Sequence, residues 1–383
     1  MPKNLHPIAR VRQAISMAAV VSLLAFNRTA VYAAESSDIG SAARAVVVAG
    51  TSTAGTSATT ATTATTIQTY STTEATSTTE TTTTRTTKTE LTSARPRIAL
   101  ALGGGGTRGA AHVGVLRVLE REGVHVDMIT GTSIGAIVGG LYCAGLSVDD
   151  IEMRFRKPKL MKSYMTVPVF VSIAVRPFFL MPRLVGWKPF DGFYFGNKFR
   201  NYYKSCLPPD RRNIEDLKIP FSAMTTNLRD GEAFPITHGD LSRAVQASSA
   251  IPVLRRAVRI DEQVLVDGCV VINVPVDEAR AMGADIVIAV PVNERLELVP
   301  VDTFRHVGSV ARRIEQILLA RTDAPQLARA DVVIHPVTDG IDVVSTNPKD
   351  AVRAIQAGVD AANQAMPDIR RRLKEWSAQH EQH

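Results

Sequence analysis

The 383-residue chain has only three cysteines, Cys143, Cys206 and Cys269, and no CxxC pair. Thiols so few and scattered build neither a disulfide framework nor a zinc site, so they are expected to be small buried apolar side chains. No HExxH or EF-hand spacing occurs, and no metal or other cofactor is expected. The N-terminal apolar run, Ala14 to Phe26, is about 13 residues, short of the ~20 that a spanning helix needs. Strong charge of one sign is missing too. The formal net charge is +7, but Lys3, Arg10, Arg12 and Arg28 precede the folded part; without these four it is +3. That balance is too mild to argue for a nucleic-acid partner.

What is present begins with basic residues, the apolar run, and small residues at Val31-Tyr32-Ala33 or Tyr32-Ala33-Ala34. This is the layout of a secretory signal, expected over 1–34, and implies an exported protein in the periplasm, at the cell surface or secreted. Thr51 to Ala94 then holds 23 threonines in 44 positions. Ordering it would cost on the order of 1 to 2 kcal/mol per residue with little burial in return, so 35–95 is expected to be a disordered spacer.

A single α/β domain is expected over 96–383. Apolar strands at Ile98 to Leu102, Val126 to Thr130, Phe221 to Thr225, Val264 to Val266, Ile286 to Val290 and Val332 to His335 alternate with helical patterns. Such alternation predicts three layers, a mainly parallel central sheet flanked by helices. Helices are expected over 110 to 122, over Ala136 to Ala144, from Asn347-Pro348 to about Ala362, and anew from Pro367. Leu160 to Phe195 is rich in large apolar residues but broken by four prolines. It reads as a packed irregular insertion or as a flap that dips into lipid.

Three short stretches carry chemistry. Gly103-Gly104-Gly105-Gly106-Thr107-Arg108-Gly109 joins a strand to a helix, where glycines let several N–H groups face one anionic atom. The same glycines fit a dinucleotide fingerprint, with Asp127 as the ribose-binding acid of an NAD(P)-dependent oxidoreductase. Gly131-Thr132-Ser133-Ile134-Gly135 follows a strand and precedes a helix, the setting in which GxSxG makes a nucleophile elbow. Asp267-Gly268-Cys269 closes a short strand and by itself is only a turn.

In this order, and with Ala247-Ser248-Ser249-Ala250-Ile251-Pro252 between the second and third, these stretches resemble the patatin-like phospholipases over roughly residues 97 to 296. The resemblance implies Ser133 as nucleophile and Asp267 as its general base. It implies Gly104, Gly105 and Gly106 as the oxyanion hole, with Arg108 and Gly109 fixing the loop or meeting a lipid phosphate. Gly131 and Gly135 would shape the elbow and Gly268 the turn. Cys269 departs from the family, which has Gly or Ala there. The implied activity is lipid acyl hydrolysis through an acyl-serine, without cofactor, on phospholipid or another lipid ester at a membrane surface. Three alternatives stay open at this point. They are the oxidoreductase, a Ser-His-Asp esterase using His306 or His335, and a non-catalytic lipid-binding surface protein. Arg255, Arg256 and Arg259, with Phe178 and Phe179 of the flap, are candidates for contact with anionic head groups.

Overall fold

Ile98–Leu102 (β1) is five buried residues whose alternate side chains enter two different cores. Ile98, Leu100 and Leu102 face a large core shared with helix α1 (Ala111–Arg121), whereas Ala99 and Ala101 face a smaller one. Period-2 alternation on a strand buried on both faces is what a three-layer architecture requires. A computed structural model describes residues 95–157, 159–164, 195–252, 254–306 and 309–380. The expected signal and spacer, and Phe178 and Phe179 of the expected flap, lie outside the described residues.

The chain continues through β2 (Met128–Thr132), α2 (Ile134–Cys143), α3 (Val148–Arg156), α4 (Lys159–Tyr164) and α5 (Asn197–Cys206). Next come β3 (Phe221–Asn227), β4 (Ala233–Ile236), α6 (Leu241–Ser248), β5 (Val258–Ile260) and β6 (Gln263–Asp267). It closes with α7 (Val276–Ala281), β7 (Ile286–Val290), α8 (Ser309–Leu327), β8 (Val332–Val333) and α9 (Pro348–His380). The eight strands form one mixed sheet in the order β5-β6-β3-β2-β1-β7-β8, with β4 paired to β3. Parallel pairings make its centre, and the antiparallel pairings of β3 with β4, β3 with β6 and β5 with β6 make its margin.

The sequence reading omits β4 and β5, short marginal strands with exposed or half-buried residues and no clear apolar alternation. It also divides the C-terminal helix at Pro367, yet α9 runs through that proline. Pro367 removes one backbone donor, and burial of Ala362, Ala365, Met366 and Ile369 around it holds the helix together. The same helix lies backbone to backbone on α1. A Cβ on Gly358 would stand 2.0 Å from Ala111 O, and one on Gly114 would stand 2.1 Å from Ile355 O.

Candidate active site

β3 brings the two chemical ends together. Thr132, the last residue of β2, is in register with Met224, and Asp267, the last residue of β6, is in register with Thr225. Thr225 also pairs with β4 on its far edge, as does Ala223, so β2 and β6 occupy one edge of β3. One strand runs parallel to β3 and the other antiparallel, so they meet end to end. Ser133 and Asp267 emerge where they meet.

Ser133 has φ 54° and ψ −115°, a strained left-handed backbone for a residue with a side chain. Its surroundings impose this. The Ser133 amide donates to Ser248 Oγ at 2.9 Å, and its carbonyl accepts from Ile137 N at 3.0 Å as the first bond of α2. Gly135 seats the elbow on β1, since a Cβ there would lie 2.2 Å from Leu102 O. Gly131 sits one residue before the end of β2. The side chain that results is 8% exposed, at the N-terminus of α2.

Asp267 is fully buried. Its amide donates to Ala250 O at 3.0 Å and its Oδ1 accepts from Cys269 N at 3.1 Å. Burial raises its pKa, while the Cys269 amide, the Ser133 hydroxyl and the Arg255 charge each pull it partly back. Oδ2 has no hydrogen-bond partner at bonding geometry among the described residues. That oxygen stays available to take a proton, and catalytic hydrogen bonds are commonly long or poorly aligned before substrate binds. Gly268 packs under the Met224 carbonyl, where a Cβ would come within 2.6 Å.

The Ala247-to-Pro252 stretch holds both partners, through Ser248 on Ser133 and Ala250 on Asp267. Sequence reasoning notes this stretch only as part of a resemblance; nothing in its composition discloses two anchoring contacts. Tyr164 extends the support, its hydroxyl donating to Ser249 O at 2.6 Å. Beside Ser133 opens an apolar cleft lined by Ile134, Ile137, Leu160, Met161, Phe199 and Ile251, with Gly106 at its edge.

The glycine loop abuts the elbow. A Cβ on Gly104 would lie 3.1 Å from Ser133 Cβ, and one on Gly109 would strike Ile134 Cγ2 at 2.2 Å. Gly106 has φ 60° and passes against Val343 O, leaving no room for a side chain. The expected equivalence of the three glycines needs correction. Gly104 N–H already donates to Asn273 Oδ1 at 3.0 Å, whereas the N–H groups of Gly105 and Gly106 have no such bond among the described residues. Arg108 is buried and spent internally, Nε on Ile341 O and Nη2 on Glu294 Oε1, each at 2.7 Å. These two bonds and the burial of its side chain tie it to the loop's own surroundings. His112, fully buried, meets Gly103 O through Nε2 at 2.8 Å.

Several sequence alternatives fail on geometry. Asp127 stands before β2, at the opposite end of the sheet from the glycine loop. Its oxygens take Arg95 Nη1 and Nη2 at 2.7 and 2.6 Å and Ile98 N at 2.8 Å, so it is no ribose-binding acid. His335 bonds Asn293 O at 2.9 Å and exposed His306 faces Thr303 O, and neither hydrogen-bonds Ser133 or Asp267 among the described residues. The three arginines do not form one head-group patch. Arg255 is buried with its guanidinium 3.7 Å from the centre of the Tyr164 ring, Arg256 stacks on Phe195, and Arg259 pairs with Glu262. Cys269 is half-buried, and burial together with the Asp267 carboxylate pushes its thiol pKa well up, away from reactivity.

A patatin-like phospholipase family model matches residues 100–280. These residues are a patatin-like phospholipase domain. The chain is 36% identical over 203 residues to patatin-like phospholipase domain-containing protein 7 of Mus musculus. To patatin-like phospholipase domain-containing protein 6 of Homo sapiens it is 35% identical over 204 residues. Each match takes in 52% of this chain but only 14% of the relative. An uncharacterized NTE family protein of Mycobacterium tuberculosis is 31% identical over 201 residues, 52% of this chain and 50% of that one. The crystal structure of VipD from Legionella pneumophila is 16% identical, with a TM-score of 0.40 over 72% of this chain and 67% of that one. The patatin-like domain thus contains the elbow, the glycine loop and the strand that ends at Asp267, and α8 and α9 lie beyond the match.

Proposed function

We propose that this protein is a lipid acyl hydrolase that cleaves carboxylic esters through a Ser133–Asp267 dyad. One observation carries the reading: a strained serine and a buried carboxylate, one of whose oxygens has no partner among the described residues, meet at the junction of β2 and β6, beside an apolar cleft. The cleft's apolar lining matches an acyl chain in chemistry, and phospholipid is the first-choice substrate. In the first half-reaction Ser133 Oγ attacks the ester carbonyl carbon and its proton passes to Asp267 Oδ2. The tetrahedral oxyanion accepts from Gly105 and Gly106 N–H, each donor being worth about 3 to 4 kcal/mol in comparable sites. The positive end of α2 favours the same charge. The carbon–oxygen bond to the alcohol then breaks, and the proton held by Asp267 goes to the departing alkoxide. In the second half, water attacks the acyl-serine, gives its proton to Asp267, and the proton returns to Ser133 as the fatty acid leaves.

A fluorophosphonate probe tests this reading, because it reacts with an activated serine whatever the natural ester. The wild type should be labelled and should hydrolyse a short soluble ester. Ser133→Ala should lose both, and Asp267→Asn should lose about a thousandfold in kcat. His335→Ala should keep most activity. Labelling that survives in Ser133→Ala, or an active Asp267→Asn beside a dead His335→Ala, overturns the dyad; an unlabelled, inactive wild type favours a non-catalytic lipid-binding protein.

A further inference from the structure

Gly104 is held by a relay whose far end lies outside the patatin-like match. Its N–H donates to Asn273 Oδ1 at 3.0 Å, and Asn273 Nδ2 donates in turn to both oxygens of Asp323, each at 3.1 Å. Asn273 and Asp323 are buried, at 1% and 5% exposure. Asp323 belongs to α8, beyond residue 280.

The chemistry of this relay is directional. An ionised carboxylate only accepts, so it selects the amide rotamer of Asn273 that turns Nδ2 toward Asp323 and leaves Oδ1 for the loop. The opposite rotamer would set Nδ2 against the Gly104 N–H, donor against donor, in a buried place where an unmade bond costs about 1–3 kcal/mol. Gly104 is in turn wedged between Asn273 and Ser133, a Cβ there coming within 2.8 Å of Asn273 Oδ1 and 3.1 Å of Ser133 Cβ. We infer that Asp323 is a positioning residue: through Asn273 it pins Gly104 and thereby sets where the Gly105 and Gly106 amides stand relative to Ser133. This rests on the hydrolase reading above and adds a distal residue to it.

Asn273 and Asp323 are buried and act through the glycine loop, so their effect should fall on the rate of the chemical step rather than on binding. Asp323→Asn is nearly isosteric but can offer a donor to Asn273, which frees the amide to turn over. The tests are kcat and KM on a short soluble ester, melting temperature, and amide hydrogen exchange of the Leu102 to Thr107 segment. We expect kcat to fall about 10- to 100-fold, as for a small misplacement of catalytic groups. KM should stay within about threefold, and exchange should rise at the glycine loop while other segments keep their protection. Asn273→Ala should give the same signature, and restoration of an acceptor-only group by Asp323→Glu should recover part of the rate. The inference is overturned if Asp323→Asn keeps kcat within about twofold, if kcat falls with loop exchange unchanged, or if exchange rises throughout the molecule. An inactive wild type that also resists the fluorophosphonate probe would defeat the hydrolase reading, while the exchange measurement would still decide whether Asp323 pins the loop.

Discussion

The amide of Ser133 donates to Ser248 Oγ at 2.9 Å, and two residues further along the same stretch Ala250 O accepts from the amide of Asp267. The turn after α6 therefore grips both members of the proposed dyad by their backbones. It fixes their relative position without using either reactive side chain.

Ser248→Ala removes the acceptor for the Ser133 amide and leaves a buried donor unpaired beside a strained backbone. Stability should fall by about 1–3 kcal/mol, measured by urea unfolding. The ester-hydrolysis rate should fall as the elbow relaxes, by roughly tenfold or more. Unchanged stability and rate together would show that the elbow is held by α2 and Gly135 alone.

Asp267 should leave two opposite marks on pH behaviour. Burial raises its folded-state pKa above the unfolded value, so the folded protein holds the proton more tightly. Ionisation then opposes folding at pH values above the raised pKa, and this cost fades as pH falls toward the ordinary aspartate range. Asp267→Asn should consequently be more stable than wild type at pH 7–8, with the two converging near pH 4. Catalysis needs the ionised base, so kcat should decline as pH falls through a pKa above that of a free aspartate. Melting temperatures of both proteins across pH, with kcat of the wild type, test the pair of trends.

His112 offers a separate acid-stability test. A carbonyl can only accept, so Nε2 carries the proton given to Gly103 O and the ring is neutral, its Nδ1 having no partner among the described residues. Burial lowers its pKa to about 4 from an ordinary 6.5. The unfolded chain takes up a proton below pH 6.5 that the folded one refuses, so stability is lost as pH falls from 6.5 toward 4. The full effect is about 3 kcal/mol, at 1.36 kcal/mol per pKa unit. His112→Gln, which keeps a donor for Gly103 O, should flatten the pH dependence of urea unfolding in that window. A slope identical to wild type would assign the acid sensitivity to other groups.

Much of this architecture was legible in the residue order. β1 and β7 were read to the residue because five apolar residues bounded by breaks have few other uses. The elbow was legible because a serine flanked by glycines between strand and helix is a local pattern. β4, β5 and the unbroken α9 were not, since marginal strands draw their stability from partners and a proline is tolerated only where packing holds both sides.

Local sequence by itself determined the strand–turn–helix of the elbow, the freedom of the glycine loop and the acidic turn at Asp267, because each depends on near neighbours and backbone sterics. Tertiary structure alone decided their meeting along one edge of β3, the spending of Arg108 on Glu294, and the burial of Arg255 against Tyr164. It also decided the relay from Asp323 through Asn273 to Gly104, which differs in kind from the local motifs. Those contacts join residues remote in the chain, and their existence follows from strand register and helix docking, which no short window of residues encodes.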